Sequence, residues 1–457
     1  MTQHRKSAAV EFAMYVSISA GLALAASSFA MLAALFRAAD SQTVLCAIPM
    51  AGALALVVSW SIGALASRYP SAPGVGAYVG RAFGRRAAIV TVLLYLSLVG
   101  CLAGTESFIF AEVMERVLPG SIPGWMGAFG VLSFVLALNF VGLELPLRFQ
   151  LVTMAVLVIS ILTLSVAPLW FDAVSPPAHV ELPAPPAGVS AVATTIGMAT
   201  FLYLGFEWVT PMGRTRKHYE RLIPLSMPVA IVLLAFIYWA FAASLARNYG
   251  SGSIAATVTP QFLLGSIMAS RYGPALAVVA CMSAMMTALN ASLLGGARLV
   301  YAMSREGALP AWLSKISLRT SVPTAAVALM GGIALSSSFF ITRYRLTIPA
   351  ASYAAAVECF IYGALMFAAA KVEAEEPKPA FRSPAPRWAQ VAIGVAMPLL
   401  GVGALFGDRE TVKPTIAFFA AMVAAATGFA MLSVPKGERT RRKLESAIGQ
   451  DGRREPT

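Results

Sequence analysis

Charge is scarce in this chain. Only 12% of its 457 residues are Asp, Glu, Lys or Arg, where an ordinary soluble domain has about a quarter, and 58% are hydrophobic. Too few polar side chains exist to cover a water-facing surface, which argues against a soluble fold. Histidine is scarcer still, with three residues, none of them in an apolar run, so no paired-histidine metal centre is expected. The four cysteines, Cys46, Cys101, Cys281 and Cys359, stand singly in apolar stretches without a C-x-x-C pair. Neither a disulfide nor a zinc site is expected, and all four read as small core residues. A nucleophile motif and a phosphate-binding glycine loop are missing, which argues against an enzyme, and no ring-forming filter sequence supports a channel. No cofactor is implied.

Long polar stretches are also lacking. Breaks rich in proline or charge divide the chain into apolar runs of about 20 residues or more, the length needed to cross a bilayer. Twelve spans are expected, at 11–36, 43–66, 87–114, 123–143, 147–170 and 188–212, then 224–246, 274–303, 322–341, 348–370, 388–406 and 413–434. The first run is too long for a signal-peptide core of roughly 7–15 residues and is expected to remain as a span. A short outer helix is expected over 255–270, a proline-rich outer loop over 171–187 and a charged inner loop over 371–387. None of these is long enough to be a domain, so 1–457 reads as one transmembrane unit, ending in a basic tail over 435–457.

The net charge of +13 would suggest nucleic acid in a soluble protein. Here the positions of the bases say otherwise. Lys and Arg gather in alternate loops, clearest at Arg81, Arg85 and Arg86 and again at Arg214, Arg216, Lys217 and Arg221. Such one-sided charge orients membrane proteins, so the lipid bilayer is the partner, no nucleic acid is expected, and both termini are placed in the cytoplasm of a cell-membrane protein.

Three stretches carry a resemblance. After span 2 comes ALASRYPSAPGVGAYVGRAFG, with Arg68, Tyr69 and Pro70, then Gly74, Gly76, Tyr78, Arg81, Phe83 and Gly84; span 6 holds FLYLGFEWVTPMGRTRKHYERLIP; span 8 holds LNASLLGGARLVYAMSREGALP. In this order and spacing they resemble the amino acid-polyamine-organocation family of permeases, over nearly the whole chain. The resemblance implies an all-α polytopic membrane protein with twelve transmembrane helices and a LeuT-type core. Spans 1 to 5 and 6 to 10 (residues 11–370) would form inverted repeats with discontinuous helices 1 and 6, and the two helices in 388–434 would be peripheral. It also implies a permease for amino acids or related small amines working by alternating access, through ion-coupled uptake or exchange. A transport-incompetent sensor or partner subunit on the same fold is the alternative.

Broken helices expose backbone N–H and C=O groups at mid-membrane, where they are tolerated only around a cavity and can hold a carboxylate or an ammonium. In span 6, Gly205 permits unwinding, and Tyr203, Phe206, Glu207 and Trp208 surround it as substrate-binding candidates. In span 1 the aligned stretch is Ala25-Ala26-Ser27-Ser28-Phe29. Ala26, Ser27 and Ser28 are the candidates there, although alanine does not favour unwinding as glycine does. Buried acids are costly in a bilayer, so Glu106, Glu207 and Glu358 are candidates for coupling. Ser283, Thr287 and Asn290 share a face of span 8 that could line a pathway or, for the two hydroxyls, bond back to their own helix, and Tyr353 and Tyr362 in span 10 are weaker candidates of the same kind. The region around Val156 and Leu157 in span 5 carries no lysine, so a lysine ammonium standing in for sodium is excluded. Sodium, a proton on a glutamate, and exchange without an ion stay open. Three intramembrane glutamates without a lysine partner lean toward an amine-bearing ligand.

Overall fold

The computed structural model describes residues 8–69, 74–120, 123–169, 189–215, 219–268, 272–375, 381–406 and 411–433. The loop expected over 171–187 and the tail over 435–457 lie outside the described residues. Span 1 is two helices, α1 (Ala8–Gly21) and α2 (Ala26–Ala38), bent by 48° across a four-residue gap. Then follow α3 (Ser41–Arg68), a short α4 (Val75–Phe83), α5 (Arg85–Val117), α6 (Gly124–Val141) and α7 (Glu144–Val166). Span 6 begins with α8 (Val189–Ala199) and continues as two 3-10 segments, Thr200–Tyr203 and Phe206–Thr215. The chain goes on through α9 (Tyr219–Asn248), α10 (Ser251–Ala255), α11 (Gln261–Ile267), α12 (Tyr272–Arg305), α13 (Thr324–Tyr344), α14 (Thr347–Glu375), α15 (Arg387–Leu405) and α16 (Val412–Ser433). Eleven helices or helical segments are long and apolar enough to cross a membrane, and the bent pair α1–α2 makes twelve.

Several expectations need correction. The outer helix expected over 255–270 is shorter, α11 (Gln261–Ile267) with Pro260 at its N-cap, and a separate short helix, α10, ends at Ala255 ahead of it. The inner loop over 371–387 starts later, since α14 continues to Glu375. The stretch after span 2 contains a helix, α4, bounded by Gly74 and Gly84 at φ 86° and 95°, which only glycine adopts cheaply. Cys46 is exposed on α3 and is not a core residue; the other three cysteines are buried. A cysteine is small enough to face lipid without cost, so composition could not separate these cases.

The packing repeats itself when five spans are added. Span 3 (α5) packs on span 9 (α13) as span 8 (α12) packs on span 4 (α6), and span 5 (α7) meets span 8 as span 10 (α14) meets span 3. Span 1 (α1) meets span 7 (α9) as span 6 (α8) meets span 2 (α3). A repeat with an odd number of spans enters the membrane from the opposite side the second time, so the two halves are inverted. The last two helices lie outside this core: α15 rests on α14 and α8, and α16 on α5 and α14. Large apolar side chains such as Val152, Ile159, Phe236, Leu399 and Leu432 face outward, as lipid permits.

Candidate functional site

The two chain breaks meet. At Gly205 the backbone turns to φ 93°, and a side chain added there would lie 2.4 Å from Leu22, inside the break of span 1. Leu204, just before it, is extended at φ −64° and ψ 131°, and Ala25, at the end of the other break, is extended at φ −90° and ψ 160°. Span 1 thus unwinds without glycine at the gap itself. Side-chain hydroxyls take over the freed Ala23 carbonyl: Tyr238 of α9 and the neighbouring Ser28 both donate to it, at 2.6 Å each. Gly21, one turn earlier, leaves room for Gln150, whose Nε2 donates to the Ser17 carbonyl at 3.0 Å.

Glu106 of α5 reaches the beginning of α2. The Ala26 N–H donates to its Oε2 at 3.0 Å and the Ser27 N–H to its Oε1 at 2.7 Å, and the Ser27 hydroxyl lies beside the same carboxyl. The amides at a helix N-terminus are unpaired by the helix itself and carry partial positive charge, so a buried carboxylate there is both hydrogen-bonded and electrostatically favoured. Three of the candidates, Ala26, Ser27 and Glu106, are therefore one constellation.

A second constellation joins span 6 to span 10. The Tyr362 hydroxyl donates to Glu207 Oε2 at 2.7 Å and accepts from the Gly205 N–H at 3.3 Å. Glu207 and Glu358 are both buried beside Tyr362, and Glu207 Oε1 and both Glu358 oxygens have no hydrogen-bond partner among the described residues. Phe206 packs on the Tyr362 ring at 5.3 Å. Tyr362, a weaker candidate by sequence together with Tyr353, is central to this arrangement.

Trp208 is buried between Tyr95, stacked at 4.8 Å, and the glycines of span 8. A methyl group on Gly295 would come within 2.2 Å of the indole, so the Gly295-Gly296 pair of the third motif is the seat of the tryptophan in the second. Tyr203 points its hydroxyl to the Ile48 carbonyl at 2.8 Å, tying span 6 to α3. Ser283, Thr287 and Asn290 are buried in α12; the Thr287 hydroxyl bonds back to Ser283 and Ala284 carbonyls. Asn290 donates to the Pro146 carbonyl at 3.0 Å and to Gln150 Oε1 at 2.8 Å, and accepts from Asn139 at 3.1 Å. This buried chain of amides clamps α1, α6, α7 and α12 together, and neither Asn139 nor Gln150 was a sequence candidate.

A cavity of about 110 Å³ runs along α2, and none of the span 6 candidates Tyr203, Gly205, Phe206, Glu207 and Trp208 lines it. Its inner end is formed by Ser27 and Thr105, and it extends past Met198, Thr347 and Ser352 toward Arg37, near the end of α2. A second cavity, of about 450 Å³, lies at the other end of the bundle, bordered by Arg81, Arg85 and Glu306. No group of three or more His, Cys, Asp or Glu that could hold a metal occurs among the described residues.

Inverted five-span halves, two broken spans that touch and a cavity along the second half of span 1 define a polytopic carrier-type membrane protein. The family model described as amino acid permease matches residues 11–430, and the chain belongs to that family. It is 26% identical over 316 residues to the uncharacterized amino acid permease YecA of Bacillus subtilis (strain 168), covering 65% of this chain and 70% of that one. Its identity to the L-methionine/branched-chain amino acid exporter YjeH of Escherichia coli (strain K12) is 24% over 321 residues, 67% and 73% of the two chains. The vacuolar cationic amino acid transporter 4 of Arabidopsis thaliana is 26% identical over 164 residues, 35% of this chain but only 27% of that protein.

Proposed function

We propose that this protein is a secondary transporter that moves amino acids or closely related small amines across a cell membrane by alternating access. The observation that carries the reading is the contact between the two breaks, Leu22 on Gly205, beside a cavity that begins at Ser27. Unwound backbone in a bilayer costs several kcal/mol per unpaired group, and that cost is tolerated where the segment serves a binding site. The membership in a permease family and the relatives named for amino acid transport support the same class of substrate. The one-sided distribution of Lys and Arg supports cytoplasmic termini. The cavity near the end of α2 then faces outward.

Coupling falls to Glu207 and Glu358. Two buried carboxyl groups beside the span 6 break are the candidates to carry a proton, because adjacent anions in a dry interior repel strongly. Opening span 6 would separate the pair and change its proton content, which links the break to proton movement.

Purified protein in sealed vesicles tests the function. Saturable uptake or exchange of a labelled amino acid or amine is expected. Ligand binding without flux would mark a sensor, and non-saturating flux would mark a channel.

A further inference from the structure

Each half of span 1 has its own polar tie to the helices around it, and the two ties differ. α2 is held by Glu106 of α5, which receives two of its backbone amides. α1 is held by Gln150 of α7, whose Nε2 donates to the Ser17 carbonyl at 3.0 Å. The seat is cut to this one group, since a side chain at Gly21 would collide with the same nitrogen.

Behind Gln150 the donors all run in one direction. Asn290 spends one N–H on the Pro146 carbonyl and the other on Gln150 Oε1. Asn139 spends its own pair on the Val135 carbonyl and on Asn290 Oδ1. Gln150 cannot turn its amide over, because that would set NH2 against NH2 at Asn290 and oxygen against oxygen at Ser17. Its donor is therefore aimed at α1 by residues of α6 and α12.

All four residues of this chain, Asn139, Asn290, Gln150 and Ser17, are buried. If α1 moved away while the joint stayed dry, the Gln150 N–H would be stranded, and a buried donor without an acceptor is costly. Water has to stand in for the Ser17 carbonyl before the two can part. The four-residue gap and the 48° bend let α1 move without carrying α2 along. α2 would have to give up two hydrogen bonds to Glu106 where α1 gives up one to Gln150.

We propose that Gln150 is a positioning residue for transport: its amide, oriented by Asn139 and Asn290, latches α1 to α7 and α12, and α1 is released only when water replaces the Ser17 carbonyl. This rests on the transporter reading, which gives the release its purpose.

The test is hydrogen–deuterium exchange of the purified full-length protein in lipid nanodiscs, read on peptides from α1 and from α2. Gln150→Leu removes the donor and is expected to speed exchange in α1 by roughly tenfold, with α2 unchanged. Gln150→Glu adds a readout that loss of packing would not move. A protonated carboxyl there still donates an O–H to the Ser17 carbonyl and accepts from Asn290, whereas an ionised one has no donor. α1 of that variant should exchange as in the native protein at pH 5 and roughly tenfold faster than the native protein at pH 8. If the leucine variant does not fold, this pair of measurements decides alone. Unchanged exchange in α1 of Gln150→Leu, equal acceleration in α1 and α2, or the same variant-to-native ratio at both pH values for Gln150→Glu would each overturn the latch. Counterflow of labelled leucine in vesicles separates it from the transport reading. A native protein that carries leucine while Gln150→Leu leaves α1 protected would sink the latch and keep the transporter. A loosened α1 in a protein that carries none of the amino acids or amines tried would do the reverse.

Discussion

The Trp208 ring lies against Gly295 so closely that the hydrogen of glycine is the only side chain the contact admits. Two motifs separated by nearly ninety residues of sequence, the aromatic-acid run of span 6 and the glycine pair of span 8, are therefore halves of one joint. Gly295→Ala should push the indole off its stack with Tyr95 and cost about 1–3 kcal/mol, as overpacking usually does. The expected readout is a shifted tryptophan emission together with reduced transport; an unchanged emission spectrum and normal flux would show that the joint has slack.

Gly205→Ala tests the contact between the breaks. The new methyl meets Leu22 and the residue must hold φ 93°, so two penalties are added, the second of them roughly 1–2 kcal/mol. Transport should fall sharply, and Leu22→Ala in the same chain should restore part of it by removing the first penalty alone. Purely additive losses in the double variant would mean that Leu22 and Gly205 do not act as a unit.

Glu358→Gln keeps a hydrogen-bonding group beside Glu207 and Tyr362 while removing the exchangeable proton. Uptake driven by an imposed pH gradient should be lost, while exchange of labelled for unlabelled solute across the same vesicles should persist. A gradient response equal to that of the native protein would remove Glu358 from the coupling role.

Glu306 makes a prediction outside the membrane spans. Packing around the cavity pushes its carboxyl above the ordinary value, and the Arg81 guanidinium draws it part of the way back. A raised carboxyl is penalised in the folded state once it ionises, so the cost is absent at low pH and appears as pH rises above the ordinary glutamate range near about 4.3. Glu306→Gln should therefore match the native protein at pH 4 and melt slightly higher at pH 7.5. The difference should be small, since solvent reaches the side chain. A lower melting point at pH 7.5 would show that pairing with Arg81 outweighs burial.

Span count and the glycine hinge of span 6 were legible in the sequence, because bilayer thickness sets the length of an apolar run and glycine alone tolerates a positive φ. The span 1 break was harder to read. Its gap holds no glycine, and what opens it is supplied from elsewhere: Glu106 from α5, Tyr238 from α9 and the Gly205 turn from span 6. Gln150 and Asn139 were likewise invisible as site residues, since one polar group in an apolar helix looks the same whether it faces a partner or its own backbone.

Hydropathy and charge by themselves determined that this chain crosses a membrane many times and which loops share a side, because each of those properties is local, summed over a single run or loop. Which carboxylate fills which helix end was decided only by the tertiary structure. Glu106 and Ala26 are 80 residues apart, and the energy that pairs them comes from burying an acid where backbone donors of another span receive it.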